Sequence, residues 1–257
     1  MPILQIPEPL TVISPHLDDA VFSCGALIAA ARDAVVVTVL AGMPDADTAL
    51  TDWDRAAGFA SVTQAVANRR REDARSLNML GARPEWLKFL DGQYGKPQSA
   101  EDIMAGLAAS PALQRGGTVV APMGLFHSDH VLVSQACMLL RTTVMGMQTA
   151  RATQTADDDA GDGAEDRAPV PPTQWLFYED AIYRRLPGMV QSRLLGWWQA
   201  GLVASPVHFP VAPWHAAKMA AVEAYESQLP LFNAGQLADI GAPERYWSLD
   251  ISPAPGT

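Results

Sequence analysis

Along the chain, short runs of β-branched and apolar residues alternate with stretches whose apolar positions recur at helical spacing. Leu10-Thr11-Val12-Ile13-Ser14 reads as a strand, and Ala20 to Asp33 as the helix after it. Val35 to Leu40 is unbroken and closed by Gly42, the pattern of a strand buried on both faces. A charged amphipathic helix follows from about Thr63 to Leu80, stopped by Gly81 and Pro84. Further strands are predicted at Trp86–Leu90, Thr118–Pro122 and Trp175–Glu179, and further helices at Ala100–Ala109 and His130–Thr143. A last helix runs from Pro213 to Gln228 with proline in its first turn. Such alternation predicts an α/β fold, Rossmann-like, with a mostly parallel sheet flanked by helices.

One segment breaks the pattern. Gln148 to Pro172 is rich in Ala, Thr, Asp and Gly, carries Asp157-Asp158-Asp159, and ends in Ala-Pro-Val-Pro-Pro. It holds too little apolar area to offset the entropy of ordering, so 148–172 is expected to be a mobile surface insertion in one domain spanning 1–257.

Composition narrows the function classes. Of 257 residues, 49% are hydrophobic, enough for a sizeable core, and the formal net charge is −10. An acidic surface repels a phosphate backbone and anionic lipid, so no nucleic-acid partner is expected. The longest apolar run, Ala20 to Ala31, is short of the roughly 18–20 residues that span a bilayer. The first residues lack a basic region and a cleavable apolar core. Cys24 and Cys137 both sit in apolar stretches and read as small buried hydrophobes of a reducing compartment. A cytoplasmic protein is expected.

Two polar clusters carry the candidate chemistry. Ser14-Pro15-His16-Leu17-Asp18-Asp19 and Gly124-Leu125-Phe126-His127-Ser128-Asp129-His130 each follow a predicted strand and precede a predicted helix. Ligands of open α/β sheets sit outside the carboxyl ends of strands, where both clusters fall. Three of the five histidines and three aspartates gather there. A catalytic zinc site takes three protein ligands from His and carboxylate and leaves a fourth position for water. Singly, an Asp before a helix is more often an N-cap, and Asp19 or Asp129 could be that and no more. No Gly-x-Gly-x-x-Gly or Walker loop and no Gly-x-Ser-x-Gly elbow occurs, which argues against a nucleotide cofactor and a serine nucleophile.

The two clusters, in this order, resemble the PIG-L/LmbE-like family of zinc-dependent N-deacetylases, whose hallmark is His-x-Asp-Asp near the N-terminus and His-x-x-His later. Arg69 and Glu72 with Leu80-Gly81, Asp91-Gly92, and Lys218 through Ser227-Gln228 extend the likeness. The resemblance implies an LmbE-like fold and zinc ligands His16, Asp19 and His130, with Fe2+ or another divalent ion as alternatives. It implies Asp18 as general base and His127 as the group that stabilises the oxyanion or protonates the leaving amine. Arg69 and Asp91 would contact substrate. Leu17 and Ala20 stand where many members carry Pro and Glu, which suggests a sub-branch with its own substrate.

The activity so implied is hydrolysis of an N-acyl group, acetyl above all, from an N-acetylated sugar or glycoconjugate such as one of N-acetylglucosamine. Alternatives are a metal-dependent amidase on a non-sugar or thiol-conjugate amide, and a catalytically silent member that binds a partner. Arg69-Arg70-Arg71 reads as a mostly solvated triplet paired with Glu72 or Asp73, with Asp129 a candidate to orient an imidazole.

Overall fold

The computed structural model describes residues 8–95, 98–158 and 173–251. In chain order the elements are β1 (Leu10–Ser14), α1 (Asp19–Ala30), β2 (Ala34–Thr38), α2 (Asp52–Ala56), α3 (Val62–Met79) and β3 (Arg83–Trp86). They continue with α4 (Ala100–Ala108), α5 (Pro111–Gln114), β4 (Gly117–Pro122), α6 (Ser128–Asp158), β5 (Thr173–Tyr178) and α7 (Met189–Gln199). The last are β6 (Leu202–Val207), α8 (His215–Val222), α9 (Ala234–Ile240) and β7 (Tyr246–Ile251).

All seven strands form one sheet in the order β3-β2-β1-β4-β5-β7-β6. The five strands β1 to β5 pair in parallel, and β7 and β6 close one edge in antiparallel fashion. The expected mostly parallel α/β sheet is therefore present. Alternate residues feed two apolar layers, as the period-two strand demands. Val12 and Val36 face a cluster with α1, α3 and α8, while Ile13, Val35 and Val37 face one with α4, α6 and α7. Cys24 lies in the first layer and Cys137 in the second; both thiols are free and buried.

Four details differ from the sequence reading. The third strand starts at Arg83, earlier than Trp86, and includes Pro84; as an edge strand bonded only to β2 it tolerates a residue without an N–H. The last long helix stops at Val222, where α3 claims carbonyls at its C-terminal end: the Ser76 hydroxyl donates to Ala221 O and Arg75 to Ala224 O. Helix α6 does not end at Thr143 but continues to Asp158, so 148–158 of the expected insertion are helical backbone. The remainder of that segment, 159–172, lies outside the described residues. The β6–β7 edge and helices α7 and α9 were not foreseen, since β6 alternates half-exposed and exposed positions and offers no apolar run.

The order reverses between β1 and β4, whose chains leave toward opposite sides. That switch point is where the two polar clusters come together.

Candidate metal centre and active site

Three segments leave the carboxyl ends of neighbouring parallel strands β1, β4 and β5 and meet in a pocket of about 510 Å³. The turn after β1 is tied by Ser14, whose hydroxyl donates to His16 O at 2.6 Å and accepts from Ala20 N at 3.0 Å. The loop after β4 is tied by Asp180, just past β5. One of its oxygens accepts the Gly124 and Leu125 N–H groups at 2.9 and 3.1 Å.

His16, Asp19 and His130 offer ligand atoms that all lie within 4.8 Å of one another. The atoms closest to a common point are His16 Nδ1 and His130 Nε2, 3.1 and 3.2 Å from Asp19 Oδ2. Each imidazole is held from behind. His16 Nε2 lies 3.0 Å from Asp129 Oδ2, and His130 Nδ1 lies 2.7 Å from Asp180 Oδ1. With the rear nitrogens donating to carboxylates, the front nitrogens turn lone pairs toward Asp19, the arrangement ligating histidines adopt.

Donors around a small cation at about 2.0–2.2 Å sit roughly 3.3–3.5 Å apart. The observed spacings come close, and two imidazoles with one carboxylate are donor types that could hold a divalent cation such as zinc. The field also fits. Burial opposes charge on His130, yet the Asp19 and Asp180 carboxylates outweigh it and carry the imidazole up to about 9. His16 is likewise raised against its burial by Asp91, Asp129 and Asp19. The site thus favours positive charge between these side chains.

Asp18 and His127 line the same pocket. Burial, with the Asp19 carboxylate beside it, pushes the Asp18 carboxyl up to about 7. Burial and the neighbouring His16 and His130 hold His127 below its ordinary value, which favours the neutral ring. His127 Nδ1 accepts the Asp129 N–H at 3.3 Å, which leaves the other nitrogen as the donor. The Asp129 carboxylate does not cap its helix; it accepts from Gly92 N at 3.1 Å as well as facing His16. A Cβ on Gly92 would stand 2.6 Å from Asp129 Oδ1, so any larger residue there forces the carboxylate to shift.

Arg69 and Asp91 also line the pocket. Buried Arg69 lies 2.6 Å from Asp54 through Nη2 and donates to Tyr94 OH through Nη1 at 2.9 Å. Its Nε has no hydrogen-bond partner among the described residues. Asp91 accepts from the backbone and side chain of Gln93 at 3.0 and 2.7 Å. The expected pairing of the arginine triplet with Glu72 or Asp73 is not formed: Arg70 donates to Ala41 O and Arg71 to Asn68. Glu72 instead fixes Ser227, accepting from its N–H at 2.9 Å and its hydroxyl at 2.6 Å. His208 and His215 are exposed and lie outside the pocket.

Asp180 was missed from sequence. Its only signal was its place just after a predicted parallel strand, with no histidine beside it in the chain. Two residues with side chains adopt left-handed backbone at the pocket, Phe126 (φ 61°) and Ile182 (φ 66°). Each costs about 1–3 kcal/mol of strain, and neither was legible in the sequence.

Residues 11–140 match the family described as PIG-L, GlcNAc-PI de-N-acetylase. The chain belongs to this family. The PIG-L segment runs from β1 into the first half of α6 and so contains both polar clusters, but not Asp180 or Tyr183. No curated protein matches the chain. Among solved structures, a triple mutant of a deacetylase of the teicoplanin biosynthetic pathway is 24% identical, with TM-score 0.69, covering 96% of this chain and 100% of its own. An N,N'-diacetylchitobiose deacetylase from Pyrococcus horikoshii is 16% identical, with TM-score 0.52, over 97% and 88% of the two chains. GalB, a 4-carboxy-2-hydroxymuconate hydratase from Pseudomonas putida, is 15% identical, with TM-score 0.53, over 96% and 97%. These likenesses establish an LmbE-like fold; membership of PIG-L makes the chain an enzyme of the deacetylase kind. No helix among the described residues is long and apolar enough to cross a membrane.

Proposed function

We propose that the protein removes an acetyl group from an N-acetylated sugar or glycoconjugate, with a divalent cation, zinc in the first instance, held by His16, Asp19 and His130. The observation that carries this reading is the convergence of the His16 and His130 ring nitrogens on Asp19 Oδ2, with Asp18 and His127 in the same pocket. A divalent cation in such a site acidifies water and polarises an amide carbonyl. The chain's own groups supply the rest.

Asp18, which lines the pocket, takes the proton as water adds to the amide carbon. His127, neutral and donating through the nitrogen not bonded to Asp129 N, holds the carbonyl oxygen as negative charge develops. The C–N bond then breaks, a proton reaches the departing nitrogen, and the products are acetate and an amine. Asp129 and Asp180 keep the imidazoles of His16 and His130 in the ligating tautomer. Arg69 and Asp91, which both line the pocket, would meet sugar hydroxyls or an acidic group of the substrate. Trp53, held by its indole N–H to Gln228 at 3.1 Å, is a stacking surface for a sugar ring. Two free, buried cysteines fit a cytoplasmic setting.

The test is acetate release from a panel of N-acetylglucosamine derivatives by zinc-supplied protein and by Asp18→Asn. Turnover of at least one derivative, lost in the variant, is expected. Release from none sinks the sugar-deacetylase reading.

A further inference from the structure

Among the described residues, Phe126 and Ile182 are the only two with side chains whose backbone is left-handed. Each stands directly before a ring that lines the pocket: His127 follows Phe126, and Tyr183 follows Ile182. Those two rings pack against each other, with centroids 6.2 Å apart and 28° between the planes. Left-handed backbone at a β-branched residue such as Ile182 persists only where the surroundings over-determine it. Both strained positions thus serve one ring contact.

The two mounts are firm. His127 N donates to Leu125 O at 2.7 Å and closes a three-residue turn, whose positive-φ form is the rare and strained one. In an extended strand consecutive side chains leave on opposite sides. This turn instead brings two consecutive rings to Tyr183, since Phe126 lies 5.5 Å from it with 30° between the planes. Tyr183 N donates to Asp180 O at 3.3 Å, and Ala181 N donates to the Ser23 hydroxyl of α1 at 3.0 Å. His130 meets the Tyr183 ring edge-on at 5.0 Å.

The three histidines of the pocket differ in how they are held. His16 and His130 each have a carboxylate behind the imidazole, Asp129 at 3.0 Å and Asp180 at 2.7 Å. His127 has no such carboxylate. Its one side-chain hydrogen bond among the described residues, from Asp129 N, is long at 3.3 Å. A ring held at one nitrogen by a weak bond needs packing to fix its plane.

We propose that Tyr183 is a positioning residue of the site, whose ring holds the His127 imidazole so that its donor nitrogen meets the carbonyl oxygen. The proposal rests on the deacetylase reading above and deepens it. Tyr183 acts through its ring, the part that touches Phe126, His127 and His130. It lies outside residues 11–140, so family membership by itself assigns it no role.

The experiment measures kcat and KM for acetate release from a turned-over N-acetylglucosamine derivative, and zinc affinity by competition with a chelator. Tyr183→Leu should lose about 10- to 100-fold in kcat, the scale of a displaced catalytic group, with KM and zinc affinity close to wild type. Tyr183→Phe keeps the ring and should restore most of the rate. Phe126→Gly relieves the turn, so kcat should fall while the melting temperature does not. An unchanged kcat in Tyr183→Leu or in Phe126→Gly overturns the proposal. A rise in KM alone does so too, because it would make Tyr183 a wall for substrate. So does a Tyr183→Phe as slow as Tyr183→Leu, which would give the role to the hydroxyl, or zinc lost from Tyr183→Leu. If no sugar yields acetate, the deacetylase reading fails by itself, and heteronuclear NMR of the imidazoles in zinc-loaded protein decides the positioning. One His127 tautomer in wild type and exchange between two in Tyr183→Leu supports it. Identical His127 signals in both proteins overturn it.

Discussion

His130 Nδ1 and Asp180 Oδ1 lie 2.7 Å apart with both side chains almost fully buried, so one carboxylate fixes the orientation of one expected metal ligand. The same carboxylate binds the backbone of the loop that carries His127. Asp180→Asn keeps the shape but removes the charge behind the imidazole. Metal affinity measured by competition with a chelator should fall about 10- to 100-fold. Unchanged affinity would show that the imidazole is oriented by packing alone.

Gly92→Ala tests the matching support of His16. A methyl group there would meet Asp129 Oδ1 at 2.6 Å and push the carboxylate off His16 Nε2. Reduced metal retention after dialysis is expected, at near wild-type far-ultraviolet circular dichroism. Full retention would mean that Asp129 has room to give.

Asp18→Asn separates proton transfer from metal binding. The variant should hold one divalent ion as wild type does, while kcat drops by about 10²–10⁴. A variant that loses the ion would move Asp18 from base to ligand.

Asp73 gives a prediction about stability alone. Burial pushes its carboxyl up to about 7, although Trp86 Nε1 and Tyr225 OH donate to it at 2.7 and 3.1 Å. A folded-state value above the ordinary one means stability is fully present below about pH 4 and is lost as pH rises through about 7. Between pH 5 and 8 that loss is on the order of 2–3 kcal/mol. Denaturant unfolding should show Asp73→Asn losing less over this range than wild type, by about that amount. Equal pH dependence in both proteins would refute it.

The parallel core and the site were legible for one reason: both put their signal in contiguous residues. Val35-Val36-Val37 announces a strand buried on both faces, and each polar cluster sits directly after such a strand. What the sequence concealed is held by partners distant in the chain. Lys218, within the last predicted helix, has nothing beside it in the chain to mark burial, yet it is fully buried with Nζ 3.1 Å from Glu244, and its stem packs on Gly25. Glu72 reads as a partner for arginine, but Ser227, 155 residues on, takes both its oxygens. Asp180 has no neighbour in the chain that marks it, and the strained turn at Phe126 exists only through the loop around it.

The pairing of β1 with β4 has a consequence for biosynthesis. His16 and Asp129 meet across 113 residues of chain, and Asp180 behind His130 comes fifty residues later still. Contacts of such long range form late, after the entropy of closing the intervening loops has been overcome. A ribosome that has released only the first α/β half has made His16 and Asp19 without their partners. A cation held by His16, Asp19 and His130 as proposed would enter only after both clusters and Asp180 have emerged, and its uptake during translation would then serve as a clock for completion of the sheet.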